Sequence, residues 1–285
     1  MEFLTLAEFQ WLSPQLALVV LLGFIAGLLG GMLGVGGSVL MIPGLVMIYG
    51  HTETTGQHLY QAAAMIVNVA VSIPATLRHR KAGTVQKAVV RWMLPVALVA
   101  VFVGVWMSNW PIFKGTDGGI WLGRILGLFL FYVVIDNIRR LLQPKAVHDA
   151  SEDPERMKIT PPRCGIVGTI MGVASGLLGI GGGGIGVPLQ QVILKLPLRN
   201  CIANSSTIIC VIATFGAIYK NASLAQHGYD WKVSLIVAAM LAPTAWVGGR
   251  LGAVLTHRLP LRQVRMAFVG LMLVGAWKMA HLPWP

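Results

Sequence analysis

"GLLGGMLGVGGSVLMIP", residues Gly27 to Pro43, decides the fold, because it returns as "SGLLGIGGGGIGVP" at Ser175 to Pro188. Sliding Gly23–Pro43 onto Gly168–Pro188, 145 positions on, gives nine identities in twenty-one without a gap. They include Gly27/Gly172, Gly31/Gly176, Gly34/Gly179, Gly36/Gly181, Gly37/Gly182 and Pro43/Pro188. Glycine is disfavoured in a helix by about 1 kcal/mol relative to alanine. A chain that places such a cluster twice among apolar residues is an internal duplication with a use for the glycines.

Outward from the two clusters the chain is apolar. Of 285 residues, 55% are hydrophobic and 11% charged, with a mean hydropathy of +0.72. A soluble domain carries roughly a quarter charged residues. Five apolar segments precede the middle of the chain, at about 14–32, 36–50, 59–77, 89–108 and 119–142. Five follow it, at about 164–180, 183–197, 201–219, 231–256 and 263–282. Many are near the length that crosses the hydrocarbon core. The expected fold is all-α: a polytopic helical membrane protein with an N-terminal membrane repeat over 1–142, a linker over 143–162 and a C-terminal membrane repeat over 163–285. The linker, "QPKAVHDASEDPERMKITPPR", is the long polar stretch, solvated and with little reason to fold. The start, with Glu2 and Glu8 and no basic cluster, does not read as a cleaved signal peptide.

Loop charges orient the segments. After segment three of the first half come Arg78, Arg80, Lys81, Lys87 and Arg91, which places that loop in the cytoplasm. The next loop has Lys114 against Asp117. In the second half the loop after segment three has Lys220 and Lys232 against Asp230, and the following one carries Arg258, Arg262 and Arg265. Equivalent loops lie on opposite sides, which is an inverted-topology repeat, common in secondary transporters. Both termini then fall outside and the linker inside, in a multi-pass protein of the cell (inner) membrane. The net charge of +12 follows from this rule, so no nucleic-acid partner is expected. Trp11, Trp106, Trp110, Trp231, Trp277 and Trp284 read as interfacial belts.

Gly23, Gly27 and Gly31, like Gly168, Gly172 and Gly176, recur every four residues on one helix face and suit close helix packing in lipid. The inner clusters, Gly34-Val-Gly-Gly37 and Gly179-Ile-Gly-Gly-Gly-Gly184, are denser than packing requires, so the helix is expected to break there. The exposed amides that start the next segment form a positive terminus suited to an anion. Gly34, Gly36, Gly37 and Ser38 from one copy, and Gly179, Gly181, Gly182 and Gly183 from the other, are the candidate binding residues. Gly181, Gly183 and Gly186 satisfy G-x-G-x-x-G, but no strand precedes them and no acidic residue follows before Asp230. No Lys-Ser/Thr follows either cluster, which removes an NTPase loop.

All ten acidic residues lie outside the hydrophobic middles. A cation carrier or carboxylate relay keeps an Asp or Glu at depth, so the pattern favours anions, with any proton travelling on a weakly acidic substrate. No cofactor and no metal site is expected: the histidines fall at segment ends or in loops. Cys164, Cys201 and Cys210 form no C-x-x-C pair and read as small apolar packers. No nucleophile–base pair stands at depth, which argues against an enzyme. What remains is neutral or basic. Asn204, Ser205, Ser206 and Thr207 open segment three of the second half; they either donate to an oxyanion or bond neighbouring helices. Gln61 is the polar survivor at the equivalent stretch of the first half, with Asn68 and Ser72 further along, and Gln190 and Gln191 are further candidates. Arg78 and Arg80 anchor topology, whereas Arg250 either snorkels or attracts an anion.

The twin glycine blocks, "ATLRHRKAG" at the end of segment three and "VGGRLGAVLTHRLPLRQVRMAF" near the end of the chain resemble the sulfite exporter TauE/SafE family over about residues 15–282. The resemblance implies integral membrane proteins with inverted repeats that move sulfite, thiosulfate, sulfoacetate and related organosulfonates, in either direction. It also implies a Thr-Ser pair opening segment three of each half; here the second half has Ser205-Ser206 and the first Ala63-Ala64. The expected function is a secondary transporter of a small sulfur-containing anion by alternating access. An anion channel or an intramembrane scaffold are the alternatives. Membrane lipid is an expected partner, and a second copy in a homodimer is a candidate one.

Overall fold

The computed structural model describes residues 15–50, 56–142 and 157–258, with single helical positions at 266, 269, 270, 273, 276 and 277. Among the described residues every regular element is a helix. In chain order these are α1 (Leu16–Leu33), α2 (Ser38–Tyr49), α3 (Gln57–Lys81), α4 (Lys87–Ser108), α5 (Gly115–Leu142), α6 (Pro161–Leu178), α7 (Gly183–Leu189), α8 (Leu198–Ala222) and α9 (Trp231–Leu255). A π turn, Gln190–Leu194, continues α7, and 3₁₀ turns occupy Pro111–Phe113 and Leu224–His227. These elements agree with nine of the ten expected segments to within a few residues. The tenth, and positions 143–156 of the linker, lie outside the described stretches. Six helices are long and apolar enough to cross a membrane: α1, α3, α4, Asp117–Asp136 within α5, α8 and α9. Large apolar side chains such as Leu18, Val99, Leu128 and Ile218 point outward and are more than half exposed, a surface that fits lipid. The chain is a multi-pass membrane protein.

Two short segments do not cross. The twelve residues of α2 rise about 18 Å, well under the roughly 30 Å hydrocarbon thickness. Its direction explains this: a Cβ added at Gly37 would meet Ala26, and one at Gly44 would meet Leu22. Helix α2 therefore folds back along α1 as a hairpin with the glycines at its tip. Likewise Gly182 and Gly186 both lie on Met171, so α7 folds back along α6.

The helix breaks fall at the glycine clusters and are built alike. Gly34 and Gly179 are left-handed C-caps, with φ of 65° and 70°, a conformation that side chains with a Cβ disfavour. Each returns its N–H one turn back, to Gly30 O and Ser175 O. The second break ends where the residues place it: helix α7 starts at Gly183, with Gly182 O accepting from Gly186 N–H at 2.8 Å. Tertiary packing of the tip, described below, holds glycines helical against their propensity.

The pairing of helices is reciprocal. α1 runs parallel to α9, with Gly23, Gly27 and Gly31 against Leu241, Ala245 and Gly249. α6 runs parallel to α4, with Gly168, Gly172 and Gly176 against Met93, Ala97 and Val101. In both pairs the missing side chains let one backbone lie on the other, the close approach expected of small residues in lipid. Between the pairs, α3 and α8, each of 25 residues, run antiparallel. Asn200 Nδ2 bonds to Thr84 O at one end of that pair, and Lys220 meets His58 at the other. Cys164 and Cys201 are buried, and no disulfide joins described cysteines.

Candidate functional site

The two hairpin tips meet inside the protein. A Cβ added at Gly183 would stand 2.6 Å from Val35 Cα and nearer still to Gly34 O, so bare backbone faces bare backbone. Around this junction the caps make related contacts with the central pair. Gly179 abuts Gln61 on α3, and Gly34 abuts Ile202 on α8. Aligning the first residues of α3 and α8 places Gln61 opposite Ile202, Ala64 opposite Ser205 and Asn68 opposite Ile209, an offset of 141.

Asn68 is the polar group at the junction. It is wholly buried and sits between Gly36 of one tip and Gly181 of the other. Its Oδ1 accepts from the Ser38 backbone N–H at 3.0 Å, and its Nδ2 donates to Ser38 Oγ at 2.8 Å. The Ser38 amide is the first of α2, one of the donors that no intrahelical acceptor can satisfy. A carboxamide from another helix supplies the missing oxygen. The sequence gives Asn68 only as a polar position on segment three; its place between the tips depends on packing across 30 residues and more.

The remaining expected residues divide. Gly34, Gly36, Ser38, Gly181 and Gly183 are at the junction. Gly37 and Gly182 serve their own hairpins, against Ala26 and Met171. Gln61 packs its stem on Gly179 and donates to Leu177 O at 3.4 Å. Asn204 and Ser205 belong to a separate network below the second hairpin. Gln190 Nε2 donates to Ser205 Oγ at 2.8 Å, Asn204 Nδ2 donates to Gln190 Oε1 at 3.2 Å, and Asn204 Oδ1 accepts from Gln86 N–H at 2.8 Å. Thr207 turns its hydroxyl back to Ala203 O at 2.9 Å, and Ser206 is buried. Arg250 is elsewhere. It is exposed and lines a cavity of about 350 Å³ with Pro74, Leu77, Arg78, Lys81, Trp246 and Val254, at the arginine-bearing end of α3.

Three bases are buried at helix ends, and one of them, Lys220, corrects the reading that placed it in a loop. Helix α8 extends to Ala222, so Lys220 is a helical residue and is wholly buried. His58 and His79 are likewise buried on α3. Lys220 Nζ lies 2.9 Å from His58 Nδ1, and the His58 ring stacks on His227 with centroids 3.6 Å apart. No periodicity marks such residues, because a lysine near a segment end reads as a loop charge. Among the described residues no group of three His, Cys, Asp or Glu could hold a metal ion.

With this geometry in place, comparison with known proteins gives a consistent result. The family described as Sulfite exporter TauE/SafE matches residues 19–279. The chain is 30% identical over 288 residues to the probable membrane transporter protein MamO of Paramagnetospirillum magneticum, covering 92% of this chain and 44% of that one. It is 23% identical over 268 residues to the probable membrane transporter protein YunE of Bacillus subtilis, covering 90% and 95%. It is 25% identical over 277 residues to a probable membrane transporter protein of Haemophilus influenzae, covering 92% and 97%. The chain thus spans less than half the length of MamO. No solved structure matches.

Proposed function

The chain belongs to the sulfite exporter TauE/SafE family, and on that premise we propose that it is a secondary transporter of a small sulfur-containing anion: sulfite, thiosulfate or an organosulfonate such as sulfoacetate. One observation carries the reading. At the meeting point of two broken helices, the first amide of α2 bonds to a neutral oxygen, Asn68 Oδ1. A helix N-terminus attracts negative charge, and broken helices facing one another at a repeat interface are where transporters bind substrate. When the tips part, an oxygen of the anion takes the place of the carboxamide, in a charge-assisted bond about twice as strong as a neutral one. Alternating access is then the rocking of one hairpin, with its partner helix, against the other.

The reciprocal pairing of α1 with α9 and of α4 with α6, and the related positions of Gln61 and Ile202, support an inverted repeat. The basic end of α3 faces the cytoplasm in this reading, with both termini outside and the linker inside the inner membrane. Asn204 and Ser205 shape the second hairpin through Gln190 and come to the anion only after that network opens.

The test is uptake of radiolabelled sulfite into proteoliposomes, with thiosulfate, sulfoacetate, taurine and sulfate as unlabelled competitors. Saturable flux, competed by a sulfur anion and lost in Asn68→Leu, is the expected result. Flux that rises linearly with concentration replaces the carrier with a channel. No flux of any of these anions through folded, inserted protein overturns the reading.

A further inference from the structure

The junction leaves one feature of α8 unused. Lys220 lies 11 residues beyond Ile209, about 16 Å along the helix, at the end of the α3–α8 pair away from Arg78. It is wholly buried. Its Nζ donates to Ser108 Oγ of α4 at 2.7 Å and to His58 Nδ1 of α3 at 2.9 Å. The directions of these bonds follow from the neighbours. The Ser108 hydroxyl donates to Val105 O at 2.7 Å, so towards Lys220 it accepts. His58 Nε2 lies 2.7 Å from Phe113 O, which only accepts, so the proton is on Nε2 and Nδ1 presents a lone pair. An ammonium only donates, so Nδ1 facing Lys220 accepts, and His58 beside a protonated Lys220 is neutral. His227, stacked on it, donates through Nε2 to Asn109 Oδ1 at 2.9 Å, and its buried Nδ1 has no partner. Two of the three ammonium hydrogens thus meet neutral acceptors. The third has no partner among the described residues, and no described carboxylate pairs with the charge.

An ammonium taken out of water costs several kcal/mol unless a counter-charge offsets it, and a buried cation in a membrane segment marks a functional path. We propose that Lys220, positioned by His58 and Ser108, is an anion-receiving site distinct from the glycine junction, where the transported sulfur oxyanion docks at the end of the α3–α8 pair opposite Arg78. The proposal rests on the transport reading and extends it. The related position on α3, 141 residues earlier, is His79, also buried and set edge-on to His257 with centroids 5.5 Å apart. A buried base therefore stands at each end of the central helix pair, with the junction between them. Lys114, exposed before α5, adds a cation on the Lys220 side.

The experiment measures sulfite and thiosulfate binding to purified full-length protein by titration calorimetry, with thermal unfolding recorded alongside. Lys220→Met removes the charge and both bonds. Lys220→Gln removes the charge but leaves a polar side chain with two N–H donors, one bond shorter and with an added carbonyl oxygen. Both are expected to bind anion at least about tenfold more weakly, since losing one partner of a buried charge pair typically costs this much or more. Neither should melt lower than the wild type by more than a few degrees, because the unpaired buried charge is gone. If Lys220→Gln folds and binds as the wild type does, the site is overturned and transport through the junction stands. If both variants lose stability while affinity holds, the lysine is structural and the proposal fails. Wild-type protein that binds neither anion removes the transport reading and this site together.

Discussion

Gly183→Ala sets helix propensity against the meeting of the hairpin tips. Gly183 is the first residue of α7 and its φ lies outside the left-handed region, so alanine fits its backbone and is favoured in a helix by about 1 kcal/mol. The new Cβ, however, would stand 2.6 Å from Val35 Cα and 2.7 Å from Ile209 Cδ1, where ordinary contact begins at 3.4 Å. The Ile209 methyl can rotate away; Val35 Cα and the Gly34 carbonyl are backbone and cannot. The tips must separate by at least about 0.8 Å, the difference between 3.4 Å and 2.6 Å, and by more at the Gly34 carbonyl, which is nearer still. Overpacking of this kind costs about 1–3 kcal/mol, so after the gain of about 1 kcal/mol in propensity the net effect is a loss of up to about 2 kcal/mol and a closed state that no longer seals. Gly165→Ala is the control: it lies in α6 with nothing within 4 Å, and alanine there should raise stability by up to about 1 kcal/mol. Thermal unfolding in detergent and flux in proteoliposomes read both variants. If Gly183→Ala melts at or above the wild type, as Gly165→Ala should, and transports normally, the backbone contact between the tips is refuted.

Other expectations follow from named bonds. Asn68→Leu strands the buried Ser38 N–H and hydroxyl and should lower stability by about 1–3 kcal/mol, read as a lower melting midpoint with flux abolished; unchanged flux would remove Asn68 from the path. Gln190→Leu leaves Ser205 Oγ and the Asn204 amide without their partner, so it should destabilise by a similar amount, and adding Asn204→Ala should cost less than the sum because the two share one network; additive losses would refute the network. Burial first, then the charges of Lys220 and Lys114, pushes His227 down to about 4, below the 6.5 of the unfolded chain. The unfolded state therefore takes up the proton first, and stability falls as pH drops from about 6.5 to about 4. His227→Gln should show a smaller drop in melting midpoint between pH 7 and pH 5 than the wild type, and an equal drop would contradict this.

Much of the architecture is written along the chain. The length of each apolar run, the two glycine clusters and the loop charges depend on neighbours within a turn or two, and local rules of helix propensity and lipid solvation act over that range. Hence α1 to α9 and both breaks stand close to where the residues alone place them, and Gly23, Gly27 and Gly31 pack as their spacing suggests. Tertiary structure decided what the breaks face. Asn68 reaches Ser38 across 30 residues, Gly183 touches Gly34 across 149, and Lys220 meets His58 across 162. It also decided that Thr207 spends its hydroxyl on its own helix while Arg250 faces a surface cavity 43 residues further on. Which polar side chain fills an unpaired amide, and which base is sealed from water, depends on how helices distant in sequence cross. No local period records that crossing, because a buried lysine and a loop lysine at the end of an apolar segment are the same letter in the same place.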